Sequence, residues 1–387
     1  MKFAQCMERL GTETAFEVLT RARALEAQGK KIIHLEIGEP DFDTPRLIRE
    51  AAIQALNRGR THYSPAAGIP ELREAICEEV ARRRGVSVRP ENVVVTPGAK
   101  PIMYFAIIAL IEPGDEVIYP NPGFPIYESM IEFVGGKAVP LPLREENDFR
   151  FDLKELQSLL SDRTRMIILN SPHNPTGGIL TRADVRVIAE IARTRHIVVL
   201  SDEVYKNIIY ENEHVSIMSE PGMLEHTILL DGFSKTYAMT GWRLGFGVMP
   251  VPLAKKIEQL MINSNSCTAT FTQDAGVVAL RGPQDEVNAF VQEFRRRRDI
   301  MVDGLNQING IRCLKPGGAF YCFPNIKAIP MSSKQLADHL LNEAGVAALS
   351  GTAFGKFGEG YLRLSYANSV ENIKEALQRM KKVIEAL

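Results

Sequence analysis

Through the middle of the chain, short apolar runs alternate with longer stretches of helical period. The runs fall at Asn92–Thr96, Glu116–Tyr119, Met166–Asn170, Ile197–Ser201, Thr227–Leu230 and Leu244–Val248. They are nearly continuous, as in strands covered on both faces; strands with one wet face alternate instead. The best-marked helix begins at Thr181. Asp184 completes a capping-box pattern there, and Val185, Ile188, Ile191 and Ala192 follow at helical spacing. Strand–helix alternation of this kind predicts an α/β fold with a parallel sheet.

The ends of the chain read differently. A helix is expected over residues 16–28 and a strand over Lys31–Ile37. Residues 369–387 open on Ser369 as a cap and continue with Ile373, Ala376, Leu377, Met380, Val383 and Ile384, an amphipathic helix. Both ends are expected to pack together as a smaller unit around a strand at Gly360–Ser365. This gives a large domain over residues 46–285 and a small one from residues 1–45 and 286–387. A length of 387 residues fits two such units.

Composition narrows the function classes. Apolar residues are 45% and charged residues 24%, with a formal net charge of −1, so no global field attracts nucleic acid or anionic membrane. The arginine runs at 82–84 and 295–298 are expected to be solvated helix faces. Five scattered cysteines show no Cys-x-x-Cys spacing, and the histidines show no ligand spacing, so neither a disulfide framework nor a metal site is predicted. The first nine residues have no apolar signal core, and the apolar stretch from Met103 to Ile111 is too short to span a bilayer. A cytoplasmic protein is the expectation.

Three consecutive predicted strands end in polar clusters. The first runs into Asn170-Ser-Pro-His-Asn174-Pro-Thr-Gly177, the second into Ser201-Asp202-Glu203-Val204-Tyr205, and the third into Asp231-Gly-Phe-Ser234-Lys235. In open α/β sheets ligands bind beyond the carboxyl ends of the strands. Asn174, Asp202, Tyr205 and Lys235 are thereby expected at one site. Each alone could be turn or cap chemistry; their convergence from three strands points to function. Lysine is suited to such a place because burial lowers its pKa and frees a nucleophilic amine.

The run Ser234-Lys235-Thr-Tyr-Ala-Met-Thr-Gly-Trp-Arg243 resembles the cofactor-attachment motif of class I/II aminotransferases, pyridoxal-phosphate enzymes of fold type I. Asn174–Gly177, Ser201–Tyr205, Glu39–Pro45, Tyr63–Arg73 and Tyr361–Ser365 match further motifs of that family, in order, over nearly the whole chain. The resemblance implies a mostly parallel seven-stranded sheet flanked by helices, plus a smaller α+β domain. It also implies pyridoxal phosphate held on Lys235, with the same amine acting as general acid and base. Asp202 resembles the carboxylate that keeps the cofactor ring nitrogen protonated, since a neighbouring anion stabilises a cation. Asn174 and Tyr205 resemble the pair that hydrogen-bonds the ring's phenolic oxygen.

For the phosphate, Arg243 offers a planar fork, Ser234 a hydroxyl, and Gly98-Ala99-Lys100 the start of a helix. By resemblance, Phe124 stacks on the ring and Tyr63 reaches the phosphate of a neighbouring subunit, which implies a homodimer with shared sites. Arg363 resembles the arginine that binds the substrate α-carboxylate, with the Gly38 backbone beside it.

Substrate choice is read from two places. The stretch Phe105–Leu110 carries no charge, and Phe16 stands where a small polar residue would suit a distal carboxylate. Both favour an amino donor with an apolar or aromatic side chain, with 2-oxoglutarate as acceptor by family habit. Aspartate aminotransferase and a pyridoxal-phosphate-dependent carbon–sulfur β-lyase stay open as alternatives. A non-catalytic cofactor-binding regulator would be expected to carry a DNA-binding segment, which is not seen. A dehydrogenase lacks its Gly-x-Gly-x-x-Gly fingerprint.

Overall fold

The structure is a computed structural model describing residues 1–211 and 213–387. Its strands, in chain order, are β1 (Ile33–His34), β2 (Val93–Thr96), β3 (Glu116–Asn121), β4 (Lys137–Arg144), β5 (Arg150–Phe151), β6 (Thr164–Asn170), β7 (Val198–Asp202), β8 (Thr227–Gly232), β9 (Gly245–Val248), β10 (Tyr321–Cys322), β11 (Val346–Ala347), β12 (Leu349–Ser350) and β13 (Leu362–Ser365). The main sheet has the order β2-β9-β8-β7-β6-β3-β4-β5. The pairs β8–β7, β7–β6, β6–β3 and β3–β4 are parallel. β9 runs antiparallel to β8 and β2, and β5 antiparallel to β4. The fold is α/β with a mostly parallel sheet. Its eighth strand, beyond the seven expected, is the two-residue β5 at one edge.

Helices cover both faces, which is why the strands read as unbroken apolar runs. Ile168 and Leu200 pack with Ile102 and Met103 of helix Lys100–Leu110. Their chain neighbours Ile167 and Val199 pack on the opposite face with Val185 and Ile188 of helix Arg182–Arg195. That helix starts at the expected capping box: Asp184 N–H donates to Thr181 Oγ1, and Thr181 N–H donates to Asp184 Oδ2. β4 has no counterpart among the predicted strands, because Pro140 and Pro142 interrupt its pattern. The two prolines lie on the side of β4 that faces away from β3, where Arg144 O accepts from Phe149 N–H. β5 pairs only with Leu143 and Arg144, so over residues 137–142 that side of β4 is an open edge, where missing donors are tolerated.

Both chain ends share one core. Ile33 and Leu35 are buried with Leu362, Leu364, Ile373, Ala376 and Met380. The expected strand at 31–37 shrinks to β1, which pairs in parallel with β11. β13 is the centre of a three-stranded sheet, between β10 and β12. Helices form at Thr14–Glu26 and Val370–Ile384, the latter capped by the Ser369 side chain. Among the described residues no helix is long and apolar enough to cross a membrane.

The arginine runs correct an expectation. Arg295 and Arg296 are solvated, but Arg297 and Arg298 are buried, as is Arg84. Helix Asp285–Leu305 turns Phe294, Arg298, Met301 and Leu305 to one side, so the core captures part of the run. Arg298 makes two 2.6 Å hydrogen bonds to Glu211, and its guanidinium lies 4.5 Å from the Tyr210 ring centre. Arg297 pairs with Asp41 and Glu293. Arg84 pairs with Glu203 and Asp231.

Candidate active site

A cavity of about 490 Å³ opens beyond the carboxyl ends of β6, β7 and β8. The residues expected at the site line it, except Gly98 and Tyr63. Lys235, just past β8, donates from Nζ to the Gly38 carbonyl at 2.5 Å. Burial, and then the nearby Arg363 charge, lower its pKa to about 8. This is the environment a nucleophilic amine needs. The chain bearing Gly38 comes from the N-terminal end, so the cavity lies where the main sheet and the shared core of the two ends meet.

Asp202 ends β7 and is buried. Burial lifts its carboxyl to about 6, against hydrogen bonds from Tyr127 Oη, 2.7 Å from Oδ2, and from Val204 N–H. The carboxylate is held in place but starved of solvent, and a cation placed against it would relieve that cost. Tyr205 Oη lies 2.7 Å from Tyr321 Oη. Its phenol is pushed well above the ordinary range, chiefly by burial, so it stays a proton-bearing hydrogen-bond partner.

Arg363 of β13 is 4% exposed. It donates to the Glu36 carbonyl and to Asn174 Oδ1 at 3.4 Å, while Nε has no partner among the described residues. Among the described residues no carboxylate lies within ion-pair distance of it. A buried guanidinium so placed is a docking point for an anion rather than a structural salt bridge. The rings of Tyr321 and Phe354 flank it, with centres 4.6 and 5.1 Å from the guanidinium carbon.

The other end of the cavity is built for a second anion. Gly98 adopts a left-handed φ of 86°, and a Cβ there would fall 2.2 Å from Arg243 Nη2. Only glycine lets the guanidinium lie against this turn, where helix Lys100–Leu110 begins. Arg243 donates to the Thr240 carbonyl at 2.6 Å, and among the described residues it has no ion-pair partner. Ser234 lines the same corner.

The Lys100 ammonium pairs with Glu13, 5.3 Å from the Phe124 ring centre. One placement differs from expectation: Phe105–Leu110 does not line the cavity; Ala99, Lys100 and Met103 do, so a cation is present after all. Tyr63 is 87% exposed and away from the cavity of its own chain. Sequence reasoning missed Glu13, Tyr127 and Tyr321. Tyr127 sits one helical turn after Phe124, a spacing that could have flagged it; the other two arrive through long-range packing. Among the described residues no group of three or more His, Cys, Asp or Glu side chains is placed to hold a metal ion.

Comparison with known proteins agrees with this geometry. The family model "Aminotransferase class I and II" matches residues 30–380. An aspartate aminotransferase of Pyrococcus horikoshii is 45% identical over 95% of this chain and 94% of its own. Aromatic-amino-acid aminotransferase 2 of Thermococcus litoralis is 42% identical over 93% of each chain. The crystal structure of an aromatic aminotransferase from Pyrococcus horikoshii superimposes with a TM-score of 0.90 at 41% identity, covering 94% of this chain and 99% of that one. The chain therefore belongs to the class I and II aminotransferases, pyridoxal-phosphate-dependent enzymes of fold type I, and is an enzyme that moves amino groups between amino acids and oxo acids.

Proposed function

We propose that this aminotransferase carries pyridoxal phosphate on Lys235 and takes amino groups from L-amino acids with apolar or aromatic side chains, passing them to 2-oxoglutarate. One observation carries the reading: a lysine whose pKa is lowered to about 8, a buried carboxylate and two arginines that have no carboxylate partner among the described residues share one cavity. These are the contacts that pyridoxal phosphate and an amino-acid carboxylate together require. Arg243, Ser234 and the Gly98–Ala99 turn fit the phosphate, Asp202 fits the ring nitrogen, and Phe124 fits the ring face.

When bound, pyridoxal phosphate supplies an aldehyde that links to amines and a ring that accepts electrons from the substrate Cα. Lys235 Nζ takes the proton from Cα and returns one, a role open to it because its amine deprotonates near neutral pH. Asp202 keeps a proton on the ring nitrogen. Asn174 and Tyr205 hold the phenolic oxygen. Arg363 and the Gly38 backbone fix the substrate carboxylate, which sets which Cα bond faces the ring. Tyr63, exposed on its own chain, reaches the phosphate of a second copy in a homodimer.

Phe16 and Met103 give the side-chain end of the cavity an apolar lining, and Glu13 masks the Lys100 charge. A second reading, aspartate aminotransferase, is favoured by Lys100 itself, which could meet a distal carboxylate if Glu13 swung away. The experiment is a panel of amino acids mixed singly with the holoenzyme, following loss of the visible cofactor band. Phenylalanine, tyrosine and leucine are expected to react faster than aspartate. Reaction with aspartate and glutamate alone would refute the apolar reading. Lys100→Met is expected to leave the phenylalanine rate within about threefold. Any activity with acidic substrates should fall about fivefold, the upper effect of one exposed charge contact.

A further inference from the structure

Four charged side chains lie beneath the cavity without lining it. Arg84, Glu203, Lys206 and Asp231 are each at most 8% exposed. Arg84 Nε and Nη2 donate to Glu203 Oε2 at 3.0 and 2.7 Å, and Nη2 also reaches Asp231 Oδ2 at 3.1 Å. Lys206 Nζ lies 2.5 Å from the same Asp231 oxygen. The remaining oxygens are also occupied: Ser201 and Ser216 hydroxyls donate to Glu203 Oε1, and Gly232 N–H donates to Asp231 Oδ1.

Three of these residues adjoin the site in sequence. Glu203 follows Asp202, Lys206 follows Tyr205, and Asp231 precedes Gly232, which lines the cavity just ahead of Ser234 and Lys235. The same turns thus present one set of side chains to the cavity and another to Arg84. Arg84 is the last residue of helix Pro70–Arg84, which ends at the left-handed Gly85. It reaches in from outside the sheet and joins the ends of β7 and β8. Two cations and two carboxylates cancel. Taking one away leaves an uncompensated buried charge.

We propose that Arg84 is a positioning residue of the transamination site: through Glu203 and Asp231 it holds the strand ends that carry Asp202 and Lys235, and it keeps Asp202 an anion. The role rests on the reading of Asp202 as partner of the cofactor ring nitrogen. Glu203 and Asp231 both act to raise the Asp202 pKa, so neutralising them matters to Asp202. Burial is the largest single influence on the Glu203 carboxyl and pushes it up, but the Arg84 charge, His214 and the hydrogen bonds from Ser216 and Arg84 together hold Glu203 below the usual carboxylate range. Other ionisable groups around the network are His214, 3.6 Å from Glu203, Glu79 on the Arg84 helix, and Tyr237, whose phenol feels Glu79 and Asp231. Tyr127 and Tyr205 face Asp202 itself.

The test is the pH dependence of pyridoxal phosphate affinity, measured on apoprotein by visible absorbance between pH 5 and 8. Asp202→Asn, with no carboxyl to titrate, sets the baseline due to the cofactor phosphate and the Lys235 amine. Relative to it, the wild type is expected to lose affinity as pH falls through about 6. In Arg84→Gln two carboxylates lose their neutralising charge, so the break moves up by on the order of one pH unit. In Glu203→Gln a negative charge is lost, so the break moves down. The double variant restores the balance and returns it towards the wild-type position, and Arg84→Lys keeps most of it. kcat in Arg84→Gln falls about tenfold with KM within about threefold, the sign of lost preorganisation rather than lost binding.

Breaks that do not move, or that move the same way in Arg84→Gln and Glu203→Gln, would overturn the proposal. If Arg84→Gln does not fold, Glu203→Gln and the double variant decide: a Glu203→Gln break at the wild-type pH overturns it. A wild-type profile identical to that of Asp202→Asn overturns the Asp202 reading and this role with it. Failure of the wild type to bind pyridoxal phosphate overturns the proposed function.

Discussion

Lys235→Ala is expected to lower transamination by about four orders of magnitude, the upper range for loss of a positioned proton-transfer group. The effect is large because one atom serves twice. In the proposed function Lys235 Nζ is the amine that holds the cofactor and also the base that moves the substrate proton. Alanine supplies neither. The fold is expected to survive, since Lys235 makes one hydrogen bond, to the Gly38 carbonyl, and no ion pair among the described residues. Pyridoxal phosphate should still enter by way of Arg243 and Asp202, but the visible band that marks its linkage to the protein should be absent. The pH dependence has a definite sign. With an amine near pH 8 in the apoprotein, the fraction able to attack the cofactor aldehyde rises with pH up to that value, so the rate at which the apoprotein takes up pyridoxal phosphate and gains the visible band should rise from pH 6 to 8. Near-normal steady-state turnover by Lys235→Ala would sink the assignment.

How much of this was legible in sequence depends on how far each feature reaches along the chain. The β6, β7 and β8 runs and the polar clusters that end them are local. Burial on both sheet faces writes continuous apolar runs, and a ligand site past the strand ends writes the polar clusters after them. β4 was illegible because the side of it that β5 leaves uncovered tolerates Pro140 and Pro142, the residues that argue against a strand elsewhere. The arginine runs show a different limit. Nothing in Arg82-Arg83-Arg84 marks the third residue, and its burial depends on Glu203 and Asp231, more than a hundred positions away. Lys100 and Glu13 form a pair of the same kind, separated by 87 positions. Charge in a sequence reports composition, whereas the sign and depth of a site depend on which charges the fold brings together. The Arg363 docking point was reached only through family resemblance; the structure adds the physical reason, a buried guanidinium whose Nε has no partner among the described residues.

Asp202→Asn is expected to act in opposite directions on turnover and stability. Turnover should fall at least about thirtyfold. Truncating one partner of a buried, hydrogen-bonded charge pair costs about 2–5 kcal/mol, and each 1.4 kcal/mol is tenfold in rate. Asparagine can still meet the Tyr127 hydroxyl and the Val204 N–H, but it cannot hold a proton on the ring nitrogen. The apoprotein, by contrast, should gain stability. Burial raises the folded Asp202 carboxyl from 3.8 to about 6. As pH rises from 4 to 6 the unfolded chain releases this proton before the folded one does, so folding takes up a proton and stability falls across that window. Above it the full deficit stands, on the order of 3 kcal/mol. Asparagine does not titrate and carries no such deficit. Thermal melts of the two apoproteins should therefore coincide near pH 4 and separate by several degrees at pH 7, with the variant higher. A variant that melts below the wild type at pH 7, or one with unchanged kcat, would show that Asp202 is ordinary framework. The expected outcome, a residue that weakens the empty fold and is needed once the site is filled, is what a preorganised charge looks like.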